Sequence, residues 1–176
     1  MNTVYLLIGE SGVGKTTVAN RLSELYGLSQ VQSYTDRKPR YPGETGHVFV
    51  DPEFFDSHEM CAYTIFDQHQ YGVTPEMLEA CDLYVIDPNG VDYLKESYKG
   101  NKTFKIIFLD ADAQTLIHRM QNRGDSEEAI LRRLDHDESA FYDYRLYNKA
   151  DYSINVSHLT VDEVCNLIHK FIEQNS

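Results

Sequence analysis

The string that most constrains this chain is Gly9-Glu-Ser-Gly-Val-Gly-Lys15-Thr16. It follows the apolar run TVYLLI and precedes TTVANRLSEL, Thr16 to Leu25, whose apolar residues recur at helical spacing. The pattern GxxxxGK[ST] requires that context, after a strand and before a helix. Its glycines let backbone N–H groups turn toward phosphate, and the helix N-terminus adds a favourable field. Lys15 is expected to reach the β- and γ-phosphates and Thr16 to ligate Mg²⁺. Gly9, Glu10, Ser11, Gly12, Val13, Gly14, Lys15, Thr16 and Thr17 are therefore the candidate ATP ligands.

Further apolar runs repeat the strand signal: DLYVID (82–87, ending in the turn PNG), TFKIIFLD (103–110) and DYSINV (151–156). Helical patterns lie between and after them. These are TPEMLEAC with Thr74 as cap, VDYLKESY, Ala113 to Gln121, a segment capped by Asp125 or Ser126, and Thr160 to Gln174. Strands alternating with helices predict an α/β fold, with a parallel central sheet covered on both faces. With the phosphate loop, that is the three-layer sandwich of P-loop NTPases. At 176 residues the chain is expected to form one domain. Asp87, at the end of DLYVID, is either a second anionic group ordering the metal's water shell or a turn cap. Two polar segments break the alternation, 33–80 and 119–147, and they carry every arginine except Arg21. Both read as insertions at the carboxyl edge of the sheet, where ligands bind in this architecture.

A net charge of −12 argues against a general nucleic-acid surface, though local arginine clusters can still grip phosphate. No stretch approaches the roughly 18 apolar residues of a membrane helix. VYLLIG reads as a strand rather than a signal peptide, and a cytoplasmic protein is the default expectation. Cys61, Cys81 and Cys165 show neither disulfide nor metal spacing and are expected to be buried small hydrophobes. The expected partners are small molecules, with the chain a monomer or a homodimer.

Phosphoryl transfer needs positive charge around the migrating group and an acceptor held in line with water kept out. Arginine suits this because its planar fork takes phosphate oxygens in pairs. Arg37 and Arg40 flank Pro39 in SYTDRKPRYPGETGHVFV, and Arg119 and Arg123 share a helix face. Arg132 and Arg133 are adjacent and cannot both point the same way. These arginine-bearing insertions favour a phosphotransferase over a nucleotide-driven switch.

The chain resembles the guanylate kinases, a family of nucleoside monophosphate kinases, in five segments taken in order: GESGVGKT, SYTDRKPRYPGETGHVFV, YGV, VIDPNG and LIHRMQNRGDSEEAILRRL. The resemblance implies an ATP-dependent kinase that passes the γ-phosphoryl group to a (deoxy)nucleoside monophosphate. It implies that Ser33, Arg37, Arg40 and Tyr71 hold the acceptor phosphate, with Asp87 near the acceptor base and the magnesium. Arg119, Arg123 and Arg133 match the lid arginines that close over the phosphates, and with Lys15 they form the expected catalytic set.

The departures concern the acceptor. His47 stands where the family has a phosphate-binding tyrosine. Ala62 and Val73 stand where the family has its guanine-reading glutamate and a hydroxyl residue. Guanine donors left unpaired in a closed pocket would cost about 1–3 kcal/mol each. Gln68, Gln70, Glu59 and Tyr63 are the polar alternatives nearby. The expected acceptor is thus a nucleotide whose base is not guanine or is read loosely, or a phosphorylated sugar as in ribose 1,5-bisphosphate kinases. A non-catalytic protein-binding domain on the same scaffold is the remaining alternative.

Overall fold

Val4 to Ile8 are all fully buried, and alternate residues feed two different cores. That double burial is why β1 (Thr3–Gly9) reads as one continuous apolar run. The structure, a computed structural model, describes residues 2–39, 42–66 (without the Phe66 side chain) and 68–175.

β1 lies between β6 (Leu83–Val85) and β7 (Thr103–Asp110), and β7 pairs on its far side with β8 (Tyr152–Asn155). Every pairing in this sheet is parallel, as the alternating pattern predicts. Tyr5 and Leu7 face a core made with α1 (Lys15–Tyr26), α5 (Ala113–Arg123) and α7 (Val161–Gln174). Val4, Leu6 and Ile8 face the other core, shared with α3 (Pro75–Glu79), α4 (Pro88–Ser97) and the last turns of α6 (Glu127–Tyr147). Helix, sheet and helix form the expected three layers.

Helix starts follow local chemistry. Thr74, Asp87, Asp112, Ser126 and Thr160 each accept a backbone N–H from the first turn of their helix. Thr160 and Glu163 complete a capping box. Helix α1 begins instead at Gly14, at φ 104°, with no side-chain cap. The chain there needs a left-handed residue, and its first turn keeps no side-chain acceptor of its own.

The 33–80 insertion is more regular than its turn-rich composition predicts. It forms a second sheet in the order β3 (His47–Phe49), β2 (Ser33–Thr35), β5 (His69–Val73), β4 (Ala62–Phe66). Residues 62–73, whose mixed period fits either irregular or strand-like chain, are a hairpin, because β-branched and aromatic residues pair across it. The short helix α2 (Glu53–Ser57) stacks Phe54 on Tyr34 and sets Phe55 beside Tyr63. PNG, read as a turn, is the first turn of α4, since Pro88 sits in the N1 position that needs no N–H donor. All three cysteines are buried and free. Tyr144 packs on Phe108 and Phe141, whereas Tyr142 and Tyr147 are largely exposed. Among the described residues no helix is long and apolar enough to cross a membrane.

Truncation at the middle of β1 tests the two-sided burial. Leu7→Ala should cost about 2–5 kcal/mol in a denaturant titration, and Leu25→Ala, at an exposed position of α1, should change stability by less than about 1 kcal/mol.

Candidate functional site

The phosphate loop is fixed from below. A Cβ on Gly9 would lie 2.5 Å from the Leu109 carbonyl oxygen, so the close approach of β1's end to β7 demands glycine there. Lys15 folds back over the loop, donating from Nζ to the carbonyls of Gly9 at 2.6 Å and Glu10 at 3.0 Å. Burial pulls its ammonium down from the usual lysine value to about 8, against the attraction of Asp137 and Glu10.

A cavity of about 650 Å³ opens over the loop, lined by Ser11 to Val18, by Arg119, Arg123 and Arg133, and by Val156 and Val164. The structure thus brings Lys15, Thr16, Thr17 and the three lid arginines to one space. Arg119 is anchored by the carbonyls of Val13 (2.8 Å) and Val156 (3.3 Å). Arg123 pairs with Asp125. The Nε of Arg133 is buried and has no hydrogen-bond partner among the described residues. Asp125 Oδ2 lies 3.8 Å from it, within ion-pair distance but too far for a hydrogen bond, so the donor can still take a closer acceptor. Arg132, its neighbour, is exposed and outside the cavity lining.

The second sheet gathers the other set. Ser33 pairs with His47, Thr35 with Tyr71, and Ala62 with Val73, so these residues share one sheet face. Ser33 Oγ and His47 Nδ1 lie 2.9 Å apart, and the His47 and Tyr71 rings are 5.6 Å apart, edge to face. Arg37 donates to both carboxylate oxygens of Glu44, at 2.8 and 3.2 Å, and its guanidinium lies 5.4 Å from the Phe49 ring centroid. Glu44 first, and then Tyr71, raise its affinity for the proton, while its Nε is buried without a partner among the described residues. Arg40, expected to join Arg37, lies outside the described residues.

Ala62 and Val73 are 1% and 0% exposed, inside the apolar core with Cys61, Leu78 and Ile86. Of the polar alternatives, Glu59 and Gln68 are exposed, and Gln70 and Tyr63 are committed elsewhere. Asp36 accepts from the Gln70 amide N–H at 2.9 Å and from its side chain at 3.1 Å, and Tyr63 donates to Gln70 Oε1 at 2.9 Å. Tyr63 and Gln70 are on the face opposite Ala62 and Val73.

Asp87 caps α4, its Oδ1 accepting from the Gly90 N–H at 2.6 Å, and its charge also reaches Lys15. The capping role and a place near the loop therefore coexist. Among the described residues no cluster of three or more His, Cys, Asp or Glu is arranged to hold a metal. That is compatible with Mg²⁺, which keeps several waters and takes one or two protein oxygens alongside substrate phosphates. Thr16 and Asp87 are oxygen donors of that kind.

Two strings match GTPase patterns, and the sequence alone does not dispose of them: Asp87-Pro-Asn-Gly90 (DxxG) and Asn148-Lys-Ala-Asp151 (NKxD). The second precedes β8, at the amino end of a strand parallel to those that carry the loop at their carboxyl ends. Its Asp151 is spent on Lys105 Nζ (2.9 Å) and the Ile106 N–H (2.8 Å), so it reads no base at the loop.

One acid of the site, Asp137, escaped the sequence reading, and Glu10, expected among the loop's ATP ligands, has a partner that reading did not name. Asp137, on α6 and 8% exposed, accepts from the Ser11 N–H at 2.6 Å. The buried Glu10 carboxylate pairs with Arg145, which also reaches Asp110 at 3.3 Å. The spacing Arg133, Asp137, Phe141, Arg145 puts these residues on one helix face, a signal hidden because the acids read as solvated.

A family model described as an AAA domain matches residues 6–142, which agrees with the fold and loop of a P-loop nucleotide-binding protein. More particular relatives are guanylate kinases. That of Nitrobacter hamburgensis is 33% identical over 167 residues, covering 83% of this chain and 75% of that protein. That of Rhodopseudomonas palustris is 30% identical over 178 residues, covering 92% and 80%. A crystal structure of guanylate kinase from Anaplasma phagocytophilum superposes with a TM-score of 0.64 at 20% identity, covering 98% of this chain and 85% of that one. The chain belongs to the guanylate kinase family.

The lowered Lys15 value carries a sign. Lys15 is charged below pH 8 and loses its proton in the free protein as pH rises through about 8. Affinity for a non-hydrolysable triphosphate should therefore hold between pH 6 and 7 and fall above about 8, as read by calorimetry. Lys15→Met should bind weakly at every pH, without that inflection.

Proposed function

We propose that this chain is an ATP-dependent phosphotransferase that phosphorylates the phosphate group of a small acceptor other than GMP. The observation that carries this reading is the convergence of Lys15, Arg119, Arg123 and Arg133 on one cavity over the phosphate loop. Arranged so, cations can neutralise charge on a migrating phosphoryl group without reorganising during the reaction. Thr16 and Asp87 would hold Mg²⁺, which supplies charge neutralisation across the phosphates when bound.

The acceptor phosphate is assigned to Ser33, His47, Arg37, Arg40 and Tyr71. Arg37 would exchange part of its bond with Glu44 for the phosphate, or use its unpartnered Nε. No general base is required, because an acceptor phosphate is already ionised at neutral pH. The relatives' printed activity supports the reaction class and would by itself suggest GMP.

Against GMP stand Ala62 and Val73, opposite each other in β4 and β5 and buried in apolar surroundings. Neither can accept a hydrogen bond through its side chain. The same pair favours a second reading, a sugar-phosphate acceptor with no base, of the ribose 1,5-bisphosphate kind. A protein-binding role without catalysis is disfavoured by the intact Lys15, Thr16 and lid arginines.

ADP release with GMP, AMP, dAMP, CMP, UMP, dTMP and ribose 1,5-bisphosphate distinguishes these readings. The expected result is a best substrate other than GMP, and a clear preference for GMP would sink the proposal. Lys15→Ala should lower kcat by at least about 100-fold. Arg37→Ala should raise KM for the acceptor about tenfold or more and leave KM for ATP within about twofold. A peptide-binding domain would respond to neither change.

A further inference from the structure

The phosphate loop is already gripping an anion, and that anion belongs to the protein. Asp137 Oδ2 takes the Ser11 N–H at 2.6 Å, from a carboxylate that is 8% exposed. Its other hydrogen-bond partner among the described residues is the exposed His136, at 3.2 Å. No lysine or arginine among the described residues lies within ion-pair distance of it. Lys15 attracts it through space and is parked on the Gly9 and Glu10 carbonyls rather than bonded to a carboxylate.

Asp137 comes from α6, the return helix of the 119–147 insertion. One turn before it, Arg133 lines the cavity, its Nε 3.8 Å from Asp125 and without a hydrogen-bond partner among the described residues. Two turns after it, Arg145 pairs with Glu10 of the same loop. A single helix face thus places a cation over the cavity, an anion on the loop amide and a second cation on the loop's carboxylate. The two contacts with the loop itself, from Asp137 and Arg145, fall on residues 11 and 10, its amino-terminal half.

The loop's amides would cradle the phosphates common to a diphosphate and a triphosphate, and Lys15 would reach the third phosphate that only the triphosphate has. Its added negative charge would enter the region where Lys15 attracts Asp137. Like charges in a poorly solvated site repel strongly.

We propose that Asp137 is a specificity-determining residue for the donor. It competes with the terminal phosphate for the loop's positive field, so that a triphosphate must displace it and a diphosphate need not. This rests on the reading of the loop as a donor-phosphate site. It also links triphosphate entry to movement of α6, because Asp137 cannot leave Ser11 without shifting the helix or changing its own rotamer.

Calorimetric titration of the full chain with ADP and with the non-hydrolysable analogue AMP-PNP, both with Mg²⁺, tests the idea. The wild-type chain should bind ADP more tightly than AMP-PNP, a comparison that requires no variant. Asp137→Asn keeps an acceptor for the Ser11 N–H and removes the charge. It should tighten AMP-PNP about tenfold and change ADP by less than about twofold, and Asp137→Ala should act in the same direction. Thermal midpoints confirm that each variant is folded. Equal effects on both nucleotides, or weaker AMP-PNP binding by the Asn variant, overturn the proposal and leave the donor-site reading standing. A wild-type chain that binds neither nucleotide overturns both.

Discussion

Burial of β1 on both faces is the constraint to which the rest of the structure answers. Because Val4, Leu6 and Ile8 go to one core and Tyr5 and Leu7 to the other, the strand cannot slip by one residue without exchanging both sets. That register delivers Gly9 to the carboxyl edge of the sheet against Leu109, where only a residue without a Cβ fits. The loop, the uncapped start of α1 and the placement of Lys15 follow from where that strand ends. A polar device is thereby held to fixed coordinates by an apolar layer that has no part in its chemistry.

The second sheet is tied to that layer more closely than its composition suggests. Ala62 and Val73 sit in the same core as Leu6 and Ile8. The 33–80 insertion is therefore rooted in the main fold at these two residues, and their apolar side chains strengthen the joint between the sheets. The side of the insertion away from this root carries the Arg37–Glu44 pair, its two side chains only 11% and 7% exposed. Breaking such a pair from one side leaves an uncompensated buried charge, so any anion that takes Arg37 from Glu44 has to enter as a substitute partner.

Much of this was legible in the residues. The loop motif, the parallel sheet and the long strand TFKIIFLD follow from period and context, because each is a local signal repeated over many residues. The gathering of Ser33, His47 and Tyr71 on one sheet face came from resemblance. What stayed hidden depends on distances between segments remote in sequence. The exposed Arg132 and cavity-lining Arg133 look identical in a string of letters, and only the packing of α6 separates them. Asp137 looked like one more acid in LDHDESAF, since a solvated carboxylate and one seated on a loop amide have the same code. The NKAD string misleads for the converse reason: its letters fit a base-reading pattern, and only strand direction shows that it sits at the wrong edge.

The order of strands in the sheet has a consequence for how the chain is made. β1 emerges first from the ribosome, yet its partners are β6 and β7, with Tyr5 opposite Leu83 and Thr3 opposite Thr103. Closing those loops is an entropic cost that no local contact offsets. The most apolar strand of the protein must therefore wait, unpaired on both edges, while about half the chain is synthesised. The centre of the sheet is thus closed by contacts between segments some eighty and a hundred residues apart, and neither neighbour of β1 adjoins it in sequence.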